Sequence, residues 1–296
     1  MRVLHMDAGR EMRGGQWQVL FLMRALRERG VEQALRAEGA GPLAKQAAVE
    51  GFAVVSAARR GEWDVYHAHD ARSHTRAVVG RLSPLVVSRR VAFAVKTGWL
   101  SRMKYARADL YLAVSEYVKA RLVAAGVGEE KIRVVYDAAP EMPLATGGRV
   151  LAPATDDPKK GSALAREAAR LAGVKLEFSS DLVKDLPEAR LLVYISHEEG
   201  LGSAALLAQA AGVPVLASRV GGLQEVVEHG VTGALVANDA EAIAEAMRSL
   251  LGRDAGALAE MRLAAHGRWE ERFTVARMVE GTLAAYGEVV GKGQAA

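Results

Sequence analysis

The chain has 296 residues, half of them hydrophobic, with a net charge of +4 and no cysteine. That length fits two domains of about 150 residues, and the lack of cysteine excludes disulfides, thiol nucleophiles and cysteine-ligated zinc sites. No apolar run reaches the roughly 18 to 20 residues that cross a bilayer, and the N-terminus lacks the apolar core of a secretory signal peptide. We therefore expect a cytoplasmic protein.

Short buried strands alternate with helices along the first half of the chain. Strands are predicted at 2–7, 63–70, 84–90, 108–115 and 131–137. A loop with Gly14 and Gly15 follows the first strand, and apolar residues at helical spacing then predict a helix that ends near Gly30. Ser115 is a candidate N-cap for the helix that follows it. Such alternation predicts a parallel sheet in an α/β architecture.

A second alternating set begins after residues 137–148, where prolines and glycines without periodicity predict an interdomain linker. Strands are predicted at 149–154, 174–179, 189–196, 213–218 and 233–237. Helices are predicted at 162–173, 203–212, 223–230 and 239–252. The predicted domains are residues 1–140 and 141–272, and the helix over 273–296 is expected to pack back toward the first domain. Two α/β domains of this size predict a ligand site in the cleft between them.

Basic residues concentrate in the first half, where residues 1–145 carry 23 bases and 15 acids (+8), against 16 bases and 20 acids (−4) in 146–296. Residues 71–108 hold nine bases and no acid. Large apolar side chains lie among them: Phe93, Trp99, Leu100, Met103 and Tyr105. The run predicts either a solvated face or a peripheral contact of residues 86–107 with the inner membrane surface. Since no nucleic-acid module is recognised, we expect no nucleic-acid partner.

The segment "HEEGLGS", residues 197–203, follows a predicted strand, and a helix is predicted to begin at about Ser203. The carboxyl end of a parallel strand, a glycine loop and a helix N-terminus together form a site for an anion, typically phosphate. Glu199 would repel phosphate, so we predict that it accepts hydrogen bonds from hydroxyl groups, as on a sugar. The alternative is a tight turn with Glu198 and Glu199 solvated.

In these motifs the chain resembles a family 4 glycosyltransferase of group 1 type, whose GT-B fold has two Rossmann-like doubly wound domains facing a cleft. The matching motifs lie at 13–18, 64–70, 88–93, 101–137, 159–161, 198–203 and 210–236. The resemblance implies retaining transfer of a sugar from a nucleotide diphosphate sugar, without a metal or other cofactor. It also implies that the second domain binds the nucleotide sugar and the first binds the acceptor. We predict an anionic or lipid-linked acceptor in cell-envelope glycan synthesis.

The resemblance also assigns site residues. Glu199 resembles the first glutamate of the family's E-x7-E motif, which hydrogen-bonds the donor sugar, and His69 joins it as a catalytic candidate. The implied donor-binding residues are Lys159, Lys160, Gly14, Gly15, Gly200, Leu201, Gly202 and Ser203. The acceptor or cleft candidates are His67, Asp70 and Arg90.

Histidines and an aspartate around the strand at 63–70 raise the question of a metal. His67, His69, Asp70 and His74 lack a known hydrolase spacing, and the alternation of a strand turns His67 and His69, but not Asp70, to one face. We therefore expect no metal site there.

Two departures from the family pattern bear on activity. The second glutamate of the motif, which grips the ribose, is Leu207 here, and the loss of a charged hydrogen-bonding partner costs about ten- to a hundredfold in affinity. Gln209 lies two residues on, where a helix turns it to another side. The family's basic residue before the lysine is also missing, since Asp156 and Asp157 stand there.

Two other function classes remain as alternatives. A degenerate relative without catalytic activity would bind a partner or regulate another enzyme. An NADP-dependent oxidoreductase is suggested by "GLGSAA", which fits the dinucleotide fingerprint, and by Ser218 and Arg219 at the end of the next strand. That fingerprint should open its domain, however, whereas this loop comes late in one.

Overall fold

The computed structural model describes residues 1–39, 41–93, 95 and 98–294. The chain forms two compact units, one made of Met1–Asp137 with Val275–Ala296 and the other of Ala138–Thr274. Most of the segment predicted as a linker packs on the second unit. Ala145 N–H donates to Ala211 O at 2.8 Å and Thr146 N–H to Pro187 O at 3.0 Å.

A seven-stranded parallel sheet forms the centre of the first unit. Its strands are β1 (Arg2–Met6), β2 (Glu32–Arg36), β3 (Ala53–Val54), β4 (Val65–Ala68), β5 (Leu85–Arg89), β6 (Leu110–Ala113) and β7 (Ile132–Val134). Its first helices are α1 (Gly14–Glu28), α2 (Pro42–Val49), α3 (Ala71–Val79), α4 (Trp99–Ala106) and α5 (Glu116–Ala124). The strand order is β3-β2-β1-β4-β5-β6-β7 and it reverses direction between β1 and β4. Strands β4, β5 and β6 are buried throughout, as expected for parallel strands covered on both faces.

A five-stranded parallel sheet forms the centre of the second unit. Its strands are β8 (Arg149–Pro153), β9 (Leu176–Ser179), β10 (Ala189–Tyr194), β11 (Val215–Ser218) and β12 (Gly233–Val236). Its helices are α6 (Ser162–Ala172), α7 (Leu182–Asp185), α8 (Ser203–Ala210), α9 (Leu223–Val226), α10 (Ala240–Leu251) and α11 (Ala255–Arg272). The order is β12-β11-β10-β8-β9, so it reverses between β8 and β10. Open parallel sheets bind ligands at the carboxyl ends of the strands beside such a reversal.

The last helix, α12 (Val275–Gln294), belongs to the first unit, where it packs against α1, β4 and β6. Its Tyr286 is fully buried. At Gly281 the helix lies close to the residue that follows β7, where a Cβ would lie 3.1 Å from Val135 Cγ2. The helix is therefore part of the core of that unit.

The predicted α/β class with parallel sheets is confirmed, and so are two predicted helix ends, the N-cap of α5 and the C-terminal end of α1. Ser115 accepts a hydrogen bond from Val118 N–H at 3.1 Å and begins α5. Arg29 is the C-cap residue of α1, and Gly30, which follows it, has φ +72°. A left-handed residue at that position is cheapest for glycine.

The structure corrects the secondary-structure prediction in two respects. The helix predicted over 223–230 ends at Val226, because Val227 is extended (φ −93°, ψ 123°) and His229 Nδ1 accepts a hydrogen bond from Leu235 N–H at 3.0 Å. The elements that were not predicted are β2, β3, α2, α3, α4, α7 and α11. Within the basic run 71–108, α3 and α4 were therefore missed, whereas the buried strand β5 was predicted at 84–90.

Part of the segment 86–107, which was predicted to contact a membrane, is buried in the structure. Val86 to Arg89 lie in β5 and are at most 7% exposed, so they cannot contact a surface. Ala94, Lys96 and Thr97 of that segment lie outside the described residues. Within the described residues, no helix is long and apolar enough to cross a membrane.

Candidate functional site

Lys160, Tyr194 and Glu199 meet at the carboxyl ends of β8 and β10, beside the reversal of strand order in the second sheet. Lys160 lies in a short 3-10 turn after β8, Tyr194 is the last residue of β10, and Glu199 lies in the loop that follows. Lys160 Nζ and Tyr194 OH both donate to Glu199 Oε2, the phenol at 2.8 Å. The Lys160 and Glu199 side chains are 30% and 15% exposed, so the pair is accessible to a ligand.

Burial and the adjacent carboxylate both act on the phenol of Tyr194. They raise its pKa well above the ordinary value, with burial as the larger cause. The phenol therefore keeps its proton and stays a hydrogen-bond donor to Glu199. Both donors use Oε2, and no described residue donates to the other carboxylate oxygen, Oε1, which can therefore accept a hydrogen bond from a ligand hydroxyl.

Two glycines hold the glutamate loop against the segment after β11. Gly222 N–H donates to Glu199 O at 3.1 Å. A Cβ on Gly221 would lie 2.1 Å from Glu199 O, and one on Gly222 would lie 2.0 Å from Gly200 O. Such a close approach of two backbones is possible only without side chains.

The glycine loop leads directly into α8. Gly202 has φ +113°, and a Cβ there would lie 2.6 Å from Leu223 Cδ2. Among the described residues, no side chain caps the start of α8, and its first turn holds no acidic residue. The first backbone N–H groups of the helix, from Ser203 onward, and its dipole therefore favour an anion at this end.

The loop of Lys159 and Lys160 is tied to the loop after β10. His197 N–H donates to Lys159 O at 2.8 Å. Gly161 has φ +58° and packs so closely that a Cβ would lie 2.6 Å from Ile195 Cγ2. The Lys159 side chain is exposed. The structure thus brings Lys160 together with Glu199, places Gly200, Leu201 and Gly202 in the adjoining loop, and places Ser203 at the start of α8.

Leu207 and Gln209 lie on α8 in different surroundings. Gln209 is fully buried and its Nε2 donates to Val226 O at 2.8 Å and to Thr232 Oγ1 at 3.2 Å. The Gln209 amide therefore supports the fold and is not presented to a ligand. Leu207 is partly exposed.

A chain of hydrogen bonds in the first unit fixes the protonation of two histidines. Arg90 Nη1 donates to His69 Nδ1 at 3.2 Å, His69 Nε2 lies 3.0 Å from His5 Nδ1, and His5 Nε2 lies 3.1 Å from Gln33 Oε1. Arginine can only donate, so His69 accepts at Nδ1 and carries its proton on Nε2. His69 Nε2–H therefore donates to His5 Nδ1, and His5 Nε2–H donates to Gln33 Oε1. Burial lowers the pKa of His5 to about 4 and that of His69 well below its usual value.

His67 lies beside this chain, with a ring centroid 3.9 Å from that of His69, so the two rings share a face as predicted. Its Nδ1 lies 2.6 Å from Tyr286 OH and its Nε2 lies 2.8 Å from Ser88 Oγ. Burial lowers its pKa well below the usual value.

His5, His67 and His69 hold ligand-type nitrogens within 4.8 Å of one another, which is metal-site spacing. Every ring nitrogen of the three, however, has a hydrogen-bond partner in the network above. The Arg90 guanidinium adds a positive charge beside them. The group therefore fits a neutral hydrogen-bonded core better than a cation site.

Two carboxylates lie at the ends of β1 and β4, beside the reversal of the first sheet. Asp70 caps α3, accepting from Arg72 N–H at 2.7 Å and Ser73 N–H at 3.1 Å, and it also accepts from Ala8 N–H at 2.7 Å. Asp7 accepts from Gly9 N–H at 2.8 Å and from the Gln16 amide at 3.1 Å. Burial, with Asp70 nearby, raises the pKa of Asp7.

Arg90 lies between these groups and the glycine loop of α1. Its Nε donates to Asp137 Oδ1 at 2.9 Å, and burial raises the pKa of Asp137. A Cβ on Gly15 would lie 3.9 Å from Arg90 Cδ, and Gly14 is the first residue of α1. His74, by contrast, is apart from the other histidines and packs edge-on against Tyr105 and Tyr111.

Sequence reasoning missed Tyr194, Asp7, His5 and Asp137. Each is one residue of an ordinary strand or strand end, and its partner lies far along the chain, as for His5 and His69. Of the four, only Asp7 had a local sequence signal, because it is the last residue of the first predicted strand, 2–7.

Two family models match the chain. One is described as "Glycosyl transferases group 1" and matches residues 114–253, and the other, "Glycosyltransferase Family 4", matches residues 12–139. The D-inositol 3-phosphate glycosyltransferase of Mycobacterium avium (strain 104) is 47% identical over 78 residues, which is 26% of this chain and 18% of that protein. That of Geodermatophilus obscurus is 40% identical over 99 residues, which is 33% of this chain and 21% of that protein. The matched segment thus spans about a fifth of these curated relatives.

Solved structures match over nearly the whole chain. HepE of Anabaena in complex with UDP has a TM-score of 0.82 at 17% identity and covers 97% of this chain and 100% of its own. Sucrose-phosphate synthase from Thermosynechococcus elongatus has a TM-score of 0.75 at 18% identity, over 98% and 99% of the two chains. These similarities confirm the predicted GT-B fold. The two family models together span residues 12–253, and with the shared fold they confirm the predicted resemblance to the group 1, family 4 glycosyltransferases.

Proposed function

We propose that the protein is a retaining glycosyltransferase that moves a sugar from a nucleotide diphosphate sugar to an anionic or lipid-linked acceptor in cell-envelope glycan synthesis. The observation that carries the proposal is the meeting of Lys160, Tyr194 and Glu199 next to the uncapped N-terminus of α8. One positive charge and a helix dipole lie beside one carboxylate. A sugar diphosphate needs that combination, because its phosphates are anionic and its sugar presents hydroxyls.

The comparisons support the donor and the charge of the acceptor. HepE, which shares the fold, was solved with UDP and with UDP-glucose, so UDP-glucose is the first donor to test. The relatives of the matched segment are named for D-inositol 3-phosphate, which is an anionic acceptor. The excess of basic residues in the first half of the chain agrees with an acceptor of that charge.

In the proposed reaction, the diphosphate lies at the N-terminus of α8 with Lys160 beside it. The free oxygen of Glu199 accepts hydrogen bonds from the sugar hydroxyls. The bond from the anomeric carbon to the diphosphate oxygen breaks, and the acceptor oxygen bonds to that carbon from the same face. The acceptor's hydroxyl proton leaves on the diphosphate. Lys160 and the helix N-terminus stabilise the negative charge that develops on the leaving group, and no metal or cofactor is assigned a part.

The pairing of Lys160 with Glu199 describes the site before the donor binds. Each side chain satisfies the other's charge, so neither is left unpaired. When a diphosphate binds, we expect Lys160 to turn toward it while Tyr194 keeps hold of the carboxylate. The proposed location is the cytoplasm, at the inner face of the membrane.

The test is a calorimetric titration with UDP, GDP, ADP, their common sugar conjugates and NADPH. Saturable binding of one nucleotide sugar is the expected result. Lys160→Ala should weaken both the nucleotide and its sugar conjugate by about 10- to 100-fold, since a charged hydrogen-bonding partner is lost. Glu199→Ala should weaken only the sugar conjugate.

Matched controls lie on exposed positions of the same unit. Lys175→Ala and Glu167→Ala remove the same charges from side chains that are 87% and 47% exposed, and we expect unchanged binding. If folded wild-type protein bound no sugar nucleotide at millimolar ligand, the proposal would be wrong and the non-catalytic alternative favoured. Binding of NADPH alone would favour the oxidoreductase.

Tyr194→Phe tests the positioning of the carboxylate. The variant removes the hydrogen bond to Glu199 Oε2 and keeps the buried ring. We expect about a fivefold loss of affinity for the sugar conjugate, equivalent to one hydrogen bond of about 1 kcal/mol, and little change for the free nucleotide. Tyr117→Phe removes a hydroxyl of the first unit that accepts a hydrogen bond from Arg121 of the same helix, and it serves as control. Equal losses for both ligands would contradict a positioning role.

Leu207→Glu tests the missing ribose contact. Leu207 is partly exposed on α8, so a glutamate there keeps access to water. We expect the affinity for the nucleotide to rise by about 10- to 100-fold, the amount attributed to that contact. Leu263→Glu, on an exposed position of α11, should change nothing. An unchanged affinity in Leu207→Glu would mean that this chain binds the ribose through another group.

A further inference from the structure

Helix α4 of the first unit exposes large apolar side chains. Trp99 is 69% exposed, Leu100 65% and Met103 51%, and Phe93, shortly before the helix, is 53% exposed. None of the eight residues of α4 is buried. At about 100° per residue, the three apolar side chains of the helix fall within an arc of roughly 100°. They form one continuous outward stripe.

The opposite side of α4 is anchored to the unit. Tyr105 OH accepts from Arg89 Nη1 at 2.9 Å, and its ring stacks on Tyr111 with centroids 5.6 Å apart. Lys104 Nζ donates to Ala71 O at 2.8 Å. The helix is therefore held with a defined face toward the protein, and the apolar stripe is directed outward.

Basic residues flank the stripe. Helical geometry puts Arg102 on one side, Lys104 on the other and Arg107 at the C-terminal end, about one turn after Met103. Arg102 and Arg107 are exposed, and the sequence from 71 to 108 has no acid. An apolar stripe with cationic borders matches the boundary of an anionic bilayer, where apolar side chains reach the acyl region and cations remain at the headgroups.

We propose that the α4 face, made of Phe93, Trp99, Leu100, Arg102, Met103 and Arg107, docks on the surface of an anionic lipid bilayer. A purely ionic partner such as nucleic acid would leave the three apolar side chains of the stripe exposed to water. A single short helix gives reversible binding, as expected for an enzyme that binds a membrane transiently to reach a lipid-linked acceptor. Only the biological role of this docking rests on the proposed function. Vesicle binding and nucleotide binding are separate measurements, so either can fail without the other.

The test measures partition of the full chain into sedimented vesicles of phosphatidylcholine alone and of phosphatidylcholine with 30% phosphatidylglycerol. We expect binding to the anionic vesicles at low salt that weakens in 0.5 M NaCl. Trp99→Ser/Leu100→Ser/Met103→Ser should reduce the partition coefficient by roughly 30-fold or more. Arg102→Glu/Arg107→Glu should reduce it by more than about tenfold and remove most of the salt dependence.

Matched controls change exposed residues elsewhere. Val183→Ser/Val231→Ser/Leu263→Ser removes as many apolar side chains, and Arg59→Glu/Arg170→Glu makes the same change in net charge. Both should bind vesicles like the wild type, and all variants should keep their nucleotide affinity. Three outcomes would overturn the proposal: no binding to anionic vesicles, equal binding to neutral ones, or controls that lose as much as the α4 variants. Binding to single-stranded DNA, or self-association broken by the apolar variant, in place of vesicle binding would also overturn it.

Discussion

Replacing Gly222 by alanine is expected to lower the free energy of unfolding by about 3 kcal/mol and to weaken sugar-nucleotide binding by about a hundredfold. A Cβ at this position would lie 2.0 Å from Gly200 O and 2.8 Å from Leu201 Cα. Backbone atoms cannot rotate away as a side chain can. The glutamate loop must therefore move, and it carries Glu199 and the entry to α8 with it.

The backbone angles of Gly222 make the cause unambiguous. With φ −69° and ψ −9°, alanine is conformationally allowed there, so the penalty comes from overlap alone. Gly267→Ala is the matched control, since a Cβ there meets nothing within 4 Å and lies within α11. It should leave binding unchanged and add up to about 1 kcal/mol of stability through helix propensity. Urea unfolding and calorimetric titration provide the two readouts, and a Gly222→Ala protein with wild-type values in both would contradict the close packing of these loops.

The sequence predicted the strand–loop–helix units because their signals are local. β10, the glycine loop and α8 each follow from apolar patterning and glycine placement within about twenty residues of one another. Lys160 and Glu199 could be assigned to one site only through the family resemblance. Their contact spans 39 positions of the chain and depends on the order of β8 and β10 in the sheet.

Features without a local signal were not predicted. α4 and α3 lie in a run whose charge suggested a surface, because exposed basic residues mask a helical period. The neutral histidine core was hidden for a different reason. His5, His67 and His69 come from β1, from β4 and from just after β4, and only parallel pairing of those strands places them together. His67 and His69 could be placed on one face by alternation, but their partners Tyr286 and Arg90 could not.

These three histidines and His74 should make the protein unstable in mild acid. Burial lowers the pKa of His5 to about 4 and of His74 to about 3, and lowers those of His67 and His69 well below the usual value. As the pH falls below about 6.5, the unfolded chain takes up protons at these histidines while the folded chain does not. The free energy of unfolding therefore falls with pH, by at most about 1.4 kcal/mol per pH unit for each histidine, down to the folded pKa.

Two buried carboxylates act in the opposite direction. Burial raises the pKa of Asp7 and of Asp137, so the folded chain binds protons there before the unfolded chain does, and this adds stability as the pH falls. The loss of stability from four histidines exceeds the gain from two aspartates. We expect the net result to be a steep loss of stability between about pH 6.5 and 4.5.

His74→Phe isolates one contribution to that loss. The ring packs edge-on against both Tyr105 and Tyr111, and its Nε2 has no hydrogen-bond partner in the described part of the chain, so phenylalanine fits the same place without a group to protonate. The variant should be close to wild type in stability at pH 7.5 and should lose stability less steeply in acid, by about 1.4 kcal/mol per pH unit. Urea unfolding at pH 7.5, 6.5, 5.5 and 4.5 measures both slopes. Parallel curves for variant and wild type would show that His74 is protonated in the folded protein, and a wild-type stability that does not change over this range would contradict the neutral histidine core.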